Sequence, residues 1–238
     1  MLPFVLLALP ESFRVEEQLG EHGSLLIQWT ALVIALAGAL LRCWTVAFAP
    51  DGTSSRDTRA ARAATLNTTG VYSIVRHPLY LGSGLMWVGV ALSLRVWWLV
   101  AIATLAYGLY LERLMAFEES FLASTFGDDF RRWAAQTPAI IPGIRGWVPS
   151  RGQFQWRRVL SEHNGTLAVL LMIPLFQLLE DTLGGESLGE WYSEHFDLVV
   201  MLATALSISV IAITVRRLPD APDGSTALTP HSTDQPQA

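Results

Sequence analysis

No lysine occurs in this 238-residue chain: all 16 of its basic residues are Arg. Against 21 acidic residues the net charge is -5, which removes the electrostatic basis for a nucleic-acid partner. Cys43 is the single cysteine, so neither an intramolecular disulfide nor a Cys-based metal cage can form. The five His (His22, His77, His163, His195, His231) include no H-x-x-x-H pair that would set two ligands on one helix face, and no metal is expected. A βαβ pattern is also missing, and with it the Rossmann sheet on which a nucleotide would sit. Gly82-Ser83-Gly84 is a G-x-G, but it lies inside an apolar run rather than after a strand. With Gly89 seven residues on, it reads as close helix packing through small residues. Met1 to Leu9 lacks the basic start and cleavage site of a secretory signal, leaving a short interfacial segment or the remnant of a longer start.

Long apolar runs are what the sequence has instead. Apolar residues make up 51% of it, and nine Trp suit the boundary between headgroups and hydrocarbon. Runs at 25–41, 79–94, 96–111, 166–179 and 198–215 each read as a helix. The second and third, joined around Arg95, form a tight hairpin whose arms of ~24 Å fall short of a ~30 Å hydrocarbon core. The expected fold is an all-α integral membrane protein of about five transmembrane helices, with no Rossmann domain. Its parts are an N-terminal segment (1–24), a first spanning helix (25–49), a core with the hairpin (50–150), a C-terminal pair (151–217) and a disordered tail (218–238).

Positive charge orients these spans, because cytoplasmic loops carry the excess of it. Arg56, Arg59, Arg62 and Arg76 follow the first helix, seven Arg from Arg113 to Arg158 follow the hairpin, and Arg216 and Arg217 begin the tail. Arg14 and Arg95 fall on the other side, and Arg42 sits at the cytoplasmic end of the first helix. The acidic loop at 184–197 suits the outer face. An inner, cytoplasmic membrane of a bacterium is the expected location.

The chemistry is concentrated at that cytoplasmic boundary. In Ala64 to Gly82, ATLNTTGVYSIVRHPLYLG, Pro78 stands at the first position of an apolar helix, where its missing N–H costs nothing, and His77 stands at the cap. The N–H groups near Leu79 to Leu81 then lack helical partners and, with Arg76 beside them, offer a site for a carboxylate or phosphate. The second cluster, Glu118-Glu119, follows the third apolar run. Adjacent helical residues point ~100° apart, so one of the two acids is expected to face a given ligand. Phe126-Gly127 and Pro138-Ala139-Ile140-Ile141-Pro142 come after them.

Gly70, Tyr72, Arg76-His77-Pro78, Tyr80, Gly82, Glu118-Glu119, Phe126-Gly127, Pro138, Ile141 and Pro142 follow in an order that resembles the isoprenylcysteine carboxyl methyltransferase and phospholipid methyltransferase family. Phe130 and Trp133 stand where that family usually has Tyr. The resemblance covers about 64–142 and implies a helical pocket for S-adenosyl-L-methionine. It would place cofactor contacts on Ala64, Thr65, Leu66, Asn67, Tyr72, His77, Pro78, Leu79, Tyr80 and Glu118, and catalytic roles on His77 and on Arg113, the nearest equivalent of the family's substrate-side Arg. The implied partner is a membrane lipid or lipid-linked substrate. With no dedicated base in view, O-methylation of a carboxylate or phosphate is favoured over N-methylation of a lipid amine. Two further classes stay open: an NADPH-dependent reductase of the same membrane superfamily, and a non-enzymatic membrane protein.

Overall fold

The computed structural model describes residues 2–49, 65–143, 146–184, 189 and 196–217. The loop with Arg56, Arg59 and Arg62, most of the acidic loop at 184–197 and the tail from 218 lie outside the described residues. What is described is helical, with no strand and one isolated bridge, Gly70 to Val148. In chain order the helices are α1 (Leu2–Ala47), a 3₁₀ turn (Val71–Ser73), α2 (Pro78–Ser93), α3 (Trp97–Phe126), α4 (Asp128–Gln136), α5 (Trp156–Ser161), α6 (His163–Gly184) and α7 (Phe196–Arg217).

Among the described residues two helices are long and apolar enough to cross a membrane, His22–Ala47 and Trp97–Phe126. The 16 residues of α2 are too few. Two boundaries differ from the sequence reading. Helix α1 begins at Leu2 rather than near residue 25, and the non-helical Gly20 (φ 68°) divides it into an N-terminal helix and the apolar helix His22–Ala47. Helix α3 runs 30 residues, to Phe126, and carries Glu118 and Glu119 within its last turns rather than beyond its end. The cause is shared: a charged residue ends an apolar run but does not end a helix, since Glu, Arg, Leu and Met all favour helical backbone. Gly127 ends it, because its φ of 53° is open to glycine and strained for other residues.

Helix α2 packs on α1 through small residues, as the glycine spacing predicts. A Cβ on Gly82 would lie 2.8 Å from the Gly38 carbonyl oxygen, and one on Gly89 would lie 2.6 Å from that of Ala31. Gly84 points the other way, toward the Tyr107 ring of α3. The core around this contact contains Leu32, Ala35, Ala39, Met86 and Val90, and is completed by Ile173 of α6. The hairpin turn holds Arg95 at φ 59°, buried, with its guanidinium on the Ser24 hydroxyl of α1. By contrast the faces of α3 bearing Ile102, Leu105, Leu109 and Phe117 are exposed, which suits lipid contact.

Candidate active site

The start of α2 is where the chain converges. Pro78 opens the helix and His77 precedes it without a side-chain cap. The first intrahelical bond runs from the Leu81 N–H to the His77 carbonyl at 3.0 Å, so the N–H groups of Leu79 and Tyr80 come before it. The segment 137–143 is laid along 74–77. Arg76 N–H donates to Pro138 O (2.8 Å), His77 N–H to Ala139 O (3.1 Å) and Gly143 N–H to Ile74 O (2.8 Å). The Pro-x-x-Ile-Pro element is therefore a backbone brace for the Arg-His-Pro element.

Arg76 spends two of its three guanidinium nitrogens on the protein itself. Its Nε donates to Glu119 Oε1 and its Nη1 to the carbonyls of Ala134 and Thr137, all at 2.8 Å. The guanidinium thus ties the end of α4 to α3 and to the start of α2. Both acids, moreover, face one residue. His77, 5% exposed, has Nε2 at 2.9 Å from Glu119 Oε1 and Nδ1 at 3.7 Å from Glu118 Oε2. Side chains ~100° apart on a helix can still address opposite edges of one imidazole ring. Glu119 is occupied by two donors, whereas the Glu118 side chain is 40% exposed and only loosely engaged by His77. The Tyr80 hydroxyl also reaches Glu118, and the Tyr80 ring stacks on His77 with centroids 5.5 Å apart.

Tyr72, in the 3₁₀ turn, borders the same place. Burial pushes its phenol well above the usual range, with the Glu118 charge adding and the Arg42 charge opposing, so it remains a hydroxyl donor. Asn67 turns inward on its own loop, its Oδ1 accepting from the Thr69 N–H and hydroxyl, both at 3.1 Å. Leu66 is half-buried and Thr65 exposed, while Ala64 lies outside the described residues. Arg113 is not gathered into the cluster. It is exposed on α3 and, among the described residues, makes no ion pair; five positions before Glu118 it points ~140° away from it.

Residues 26–129 match the phospholipid methyltransferase family. The matched segment runs from α1 to the first residues of α4 and contains Arg76, His77, Glu118 and Glu119. Among curated proteins the chain is 32% identical to the cobalt-zinc-cadmium resistance protein CzcN of Cupriavidus metallidurans, over 49% of this chain and 56% of that protein. It is 30% identical to the protein-S-isoprenylcysteine O-methyltransferase of Schizosaccharomyces pombe, over 33% of this chain and 34% of the yeast enzyme. The chain thus spans about half of the first relative and a third of the second. No solved structure matches it.

Just past this matched segment, the two positions without tyrosine are filled differently. Phe130 is buried against Trp133, and the Trp133 indole N–H donates to the Tyr72 carbonyl at 3.1 Å. Sequence reasoning missed this bond, as it missed Arg42, whose guanidinium reaches the Leu79 carbonyl (3.1 Å) and the Ser83 hydroxyl (2.6 Å) of α2. A polar residue at the end of an apolar run, facing the Gly82 notch of the next helix, was the available signal for Arg42.

Proposed function

We propose that the chain is an S-adenosylmethionine-dependent methyltransferase that methylates an anionic oxygen, phosphate or carboxylate, of a membrane lipid or lipid-linked acceptor at the cytoplasmic face of the membrane. The observation that carries this reading is the meeting of the His77-Pro78 helix start with Glu118 inside a segment that matches the family. The residues fit a group bearing both an ammonium and a carboxylate. The exposed edge of Glu118 suits the ammonium or ribose hydroxyls, and the Leu79 and Tyr80 N–H groups suit the carboxylate. Tyr72 supplies a hydroxyl donor, and Thr65, Leu66 and Asn67, with Ala64, would close the loop side.

Bound there, S-adenosylmethionine would supply an electrophilic methyl on a sulfonium. The protein's part is to hold the acceptor in line and keep water out. His77 is held by Glu119 at 2.9 Å, with Glu118 farther off at 3.7 Å, which suits a positioning role better than that of a free base. An acceptor that is already anionic fits this site better than a lipid amine, which must lose a proton.

Isothermal titration of the purified protein in detergent tests the cofactor. S-adenosylhomocysteine should bind and NADPH should not, and His77→Ala should weaken S-adenosylhomocysteine at least tenfold, about 1.4 kcal/mol. Binding of NADPH without S-adenosylhomocysteine would transfer the chain to the reductase class. A labelled-methyl assay on host membrane extract would then identify the acceptor.

The same proposal places five apolar helices in the membrane, α2 as a hairpin arm that enters without crossing fully, with 50–78 and 113–165 in the cytoplasm and 184–197 outside, from the distribution of Arg. Reporter fusions in each loop check it. A fusion showing 113–165 on the outer side would move the site across the membrane and end the cytoplasmic reading.

A further inference from the structure

Helices α5 and α6 lie beyond the segment that matches the family, yet they are docked on it in two ways. Ile173, with Met172 and Phe176 beside it, packs into the α1–α2 core. The second contact is polar and reaches the proposed site. Arg42 directs Nε and Nη2 to Glu162 Oε2, at 3.0 and 2.5 Å. Its Nη1 turns the other way, to the Leu79 carbonyl and the Ser83 hydroxyl. Ser83 in turn donates to the same Leu79 carbonyl at 2.9 Å.

The two ends of this guanidinium do different things. Arg42 stands at the end of an apolar helix long enough to span a membrane. A cation there extends to headgroups or water unless an anion holds it. Glu162, whose side chain is 11% exposed, is that anion. Held on this side, Arg42 grips the first turn of α2, whose Leu79 and Tyr80 N–H groups and Tyr80 ring line the site. The grip is local as well as charged: a Cβ on Gly82 would lie 2.6 Å from Arg42 Cγ, so the arginine stem lies in the glycine notch.

We propose that Glu162, acting through Arg42, is a positioning residue for the first turn of α2, and that α5 and α6 belong to the methyl-transfer unit instead of serving as a separate anchor. The functional half rests on the cofactor reading above; the mechanical half does not.

Hydrogen–deuterium exchange of the full chain in detergent reads the mechanical half directly. Glu162→Ala should raise exchange at the Leu81, Gly82 and Ser83 amides about tenfold, with Glu162→Gln intermediate and α7 unchanged. Because Glu162→Ala could instead detach α6, Ser83→Ala is the companion variant: it removes one Arg42 acceptor without touching α6. It should raise exchange in the same turn about threefold with α6 as protected as in the parent. In parallel, Glu162→Ala should weaken S-adenosylhomocysteine about tenfold and Ser83→Ala about threefold. Unchanged α2 exchange in both Glu162 variants overturns the proposal. So does exchange that rises across α6 in Glu162→Ala with no change at all in Ser83→Ala, since loss of docking would then be the whole effect. Altered α2 exchange with a parent that binds ligand and variants of equal affinity overturns the positioning role. A parent that binds no S-adenosylhomocysteine sinks the cofactor reading, and the exchange result still decides the coupling.

Discussion

Glu119→Ala should loosen the fold around the site, whereas Glu118→Ala, one residue earlier, should leave the fold intact and remove the ligand. Glu119 Oε1 accepts from Arg76 Nε at 2.8 Å and from His77 Nε2 at 2.9 Å. Its loss leaves a guanidinium that is only 17% exposed without its anion, while that guanidinium still carries the carbonyls of Ala134 and Thr137. Breaking a fully buried pair costs about 3–5 kcal/mol; with this much exposure about 2–3 kcal/mol is the fair figure. For a chain of this size that corresponds to a fall in Tm of about 5–10 °C. Glu118 is 40% exposed and 3.7 Å from His77, so its removal should move Tm by no more than about 1 °C. A charge-assisted hydrogen bond to the ligand contributes about 1.5–3 kcal/mol, which predicts ten- to hundredfold weaker S-adenosylhomocysteine binding in Glu118→Ala. Thermal melts and titrations on the two variants separate the roles. Equal loss of Tm in both would mean that the acids are one structural unit, and undiminished affinity in Glu118→Ala would remove that residue from the site.

How much of this was legible in the sequence depends on the kind of interaction. The start of α2 was legible because proline at a first helical position leaves few alternatives, and the α1–α2 contact because two glycines seven apart mark one face. The hairpin turn around Arg95 was legible from the break between apolar runs. Helix ends were not. An apolar run measures how much chain can sit in hydrocarbon, and both α1 and α3 continue as helix past the point where their runs acquire Glu and Arg. The partners of Arg76 were hidden for a different reason: two of its acceptors are backbone carbonyls of Ala134 and Thr137, and a carbonyl has no signature in a sequence. The pairing of Arg42 with Glu162 joins positions 120 residues apart, beyond any local pattern.

Arg113→Ala should lower the rate of methyl transfer by about 10² while Tm and S-adenosylhomocysteine affinity stay at parent values. Structural reasons for the rate loss are few. Arg113 is exposed on α3 and, among the described residues, makes no ion pair, so its removal disturbs no packing. Its place on the helix also separates it from the cofactor contacts: it lies ~140° around from Glu118 and ~7.5 Å nearer the N-terminal end of α3. On its own face stand Tyr110 and Phe117, 60% and 67% exposed, one turn on either side. In the proposed topology that end of α3 points into the bilayer, so Arg113 is offered to lipid between two aromatic rings just above the site. A guanidinium there can bind a phosphate or carboxylate in a bidentate way and orient the oxygen to be methylated. The acceptor oxygen gives up its charge as it attacks the sulfonium methyl, so the contribution of Arg113 is alignment, and a misplacement of about 1 Å costs about 10² in rate. The competing account is that Arg113 only snorkels to the headgroups and seats the helix. Arg113→Lys tells the two apart, because lysine snorkels equally well but cannot bind an oxyanion bidentately. It should regain no more than about tenfold of the lost rate. Full activity in Arg113→Lys would make the residue an anchor and would send the search for the acceptor site to another face of the protein.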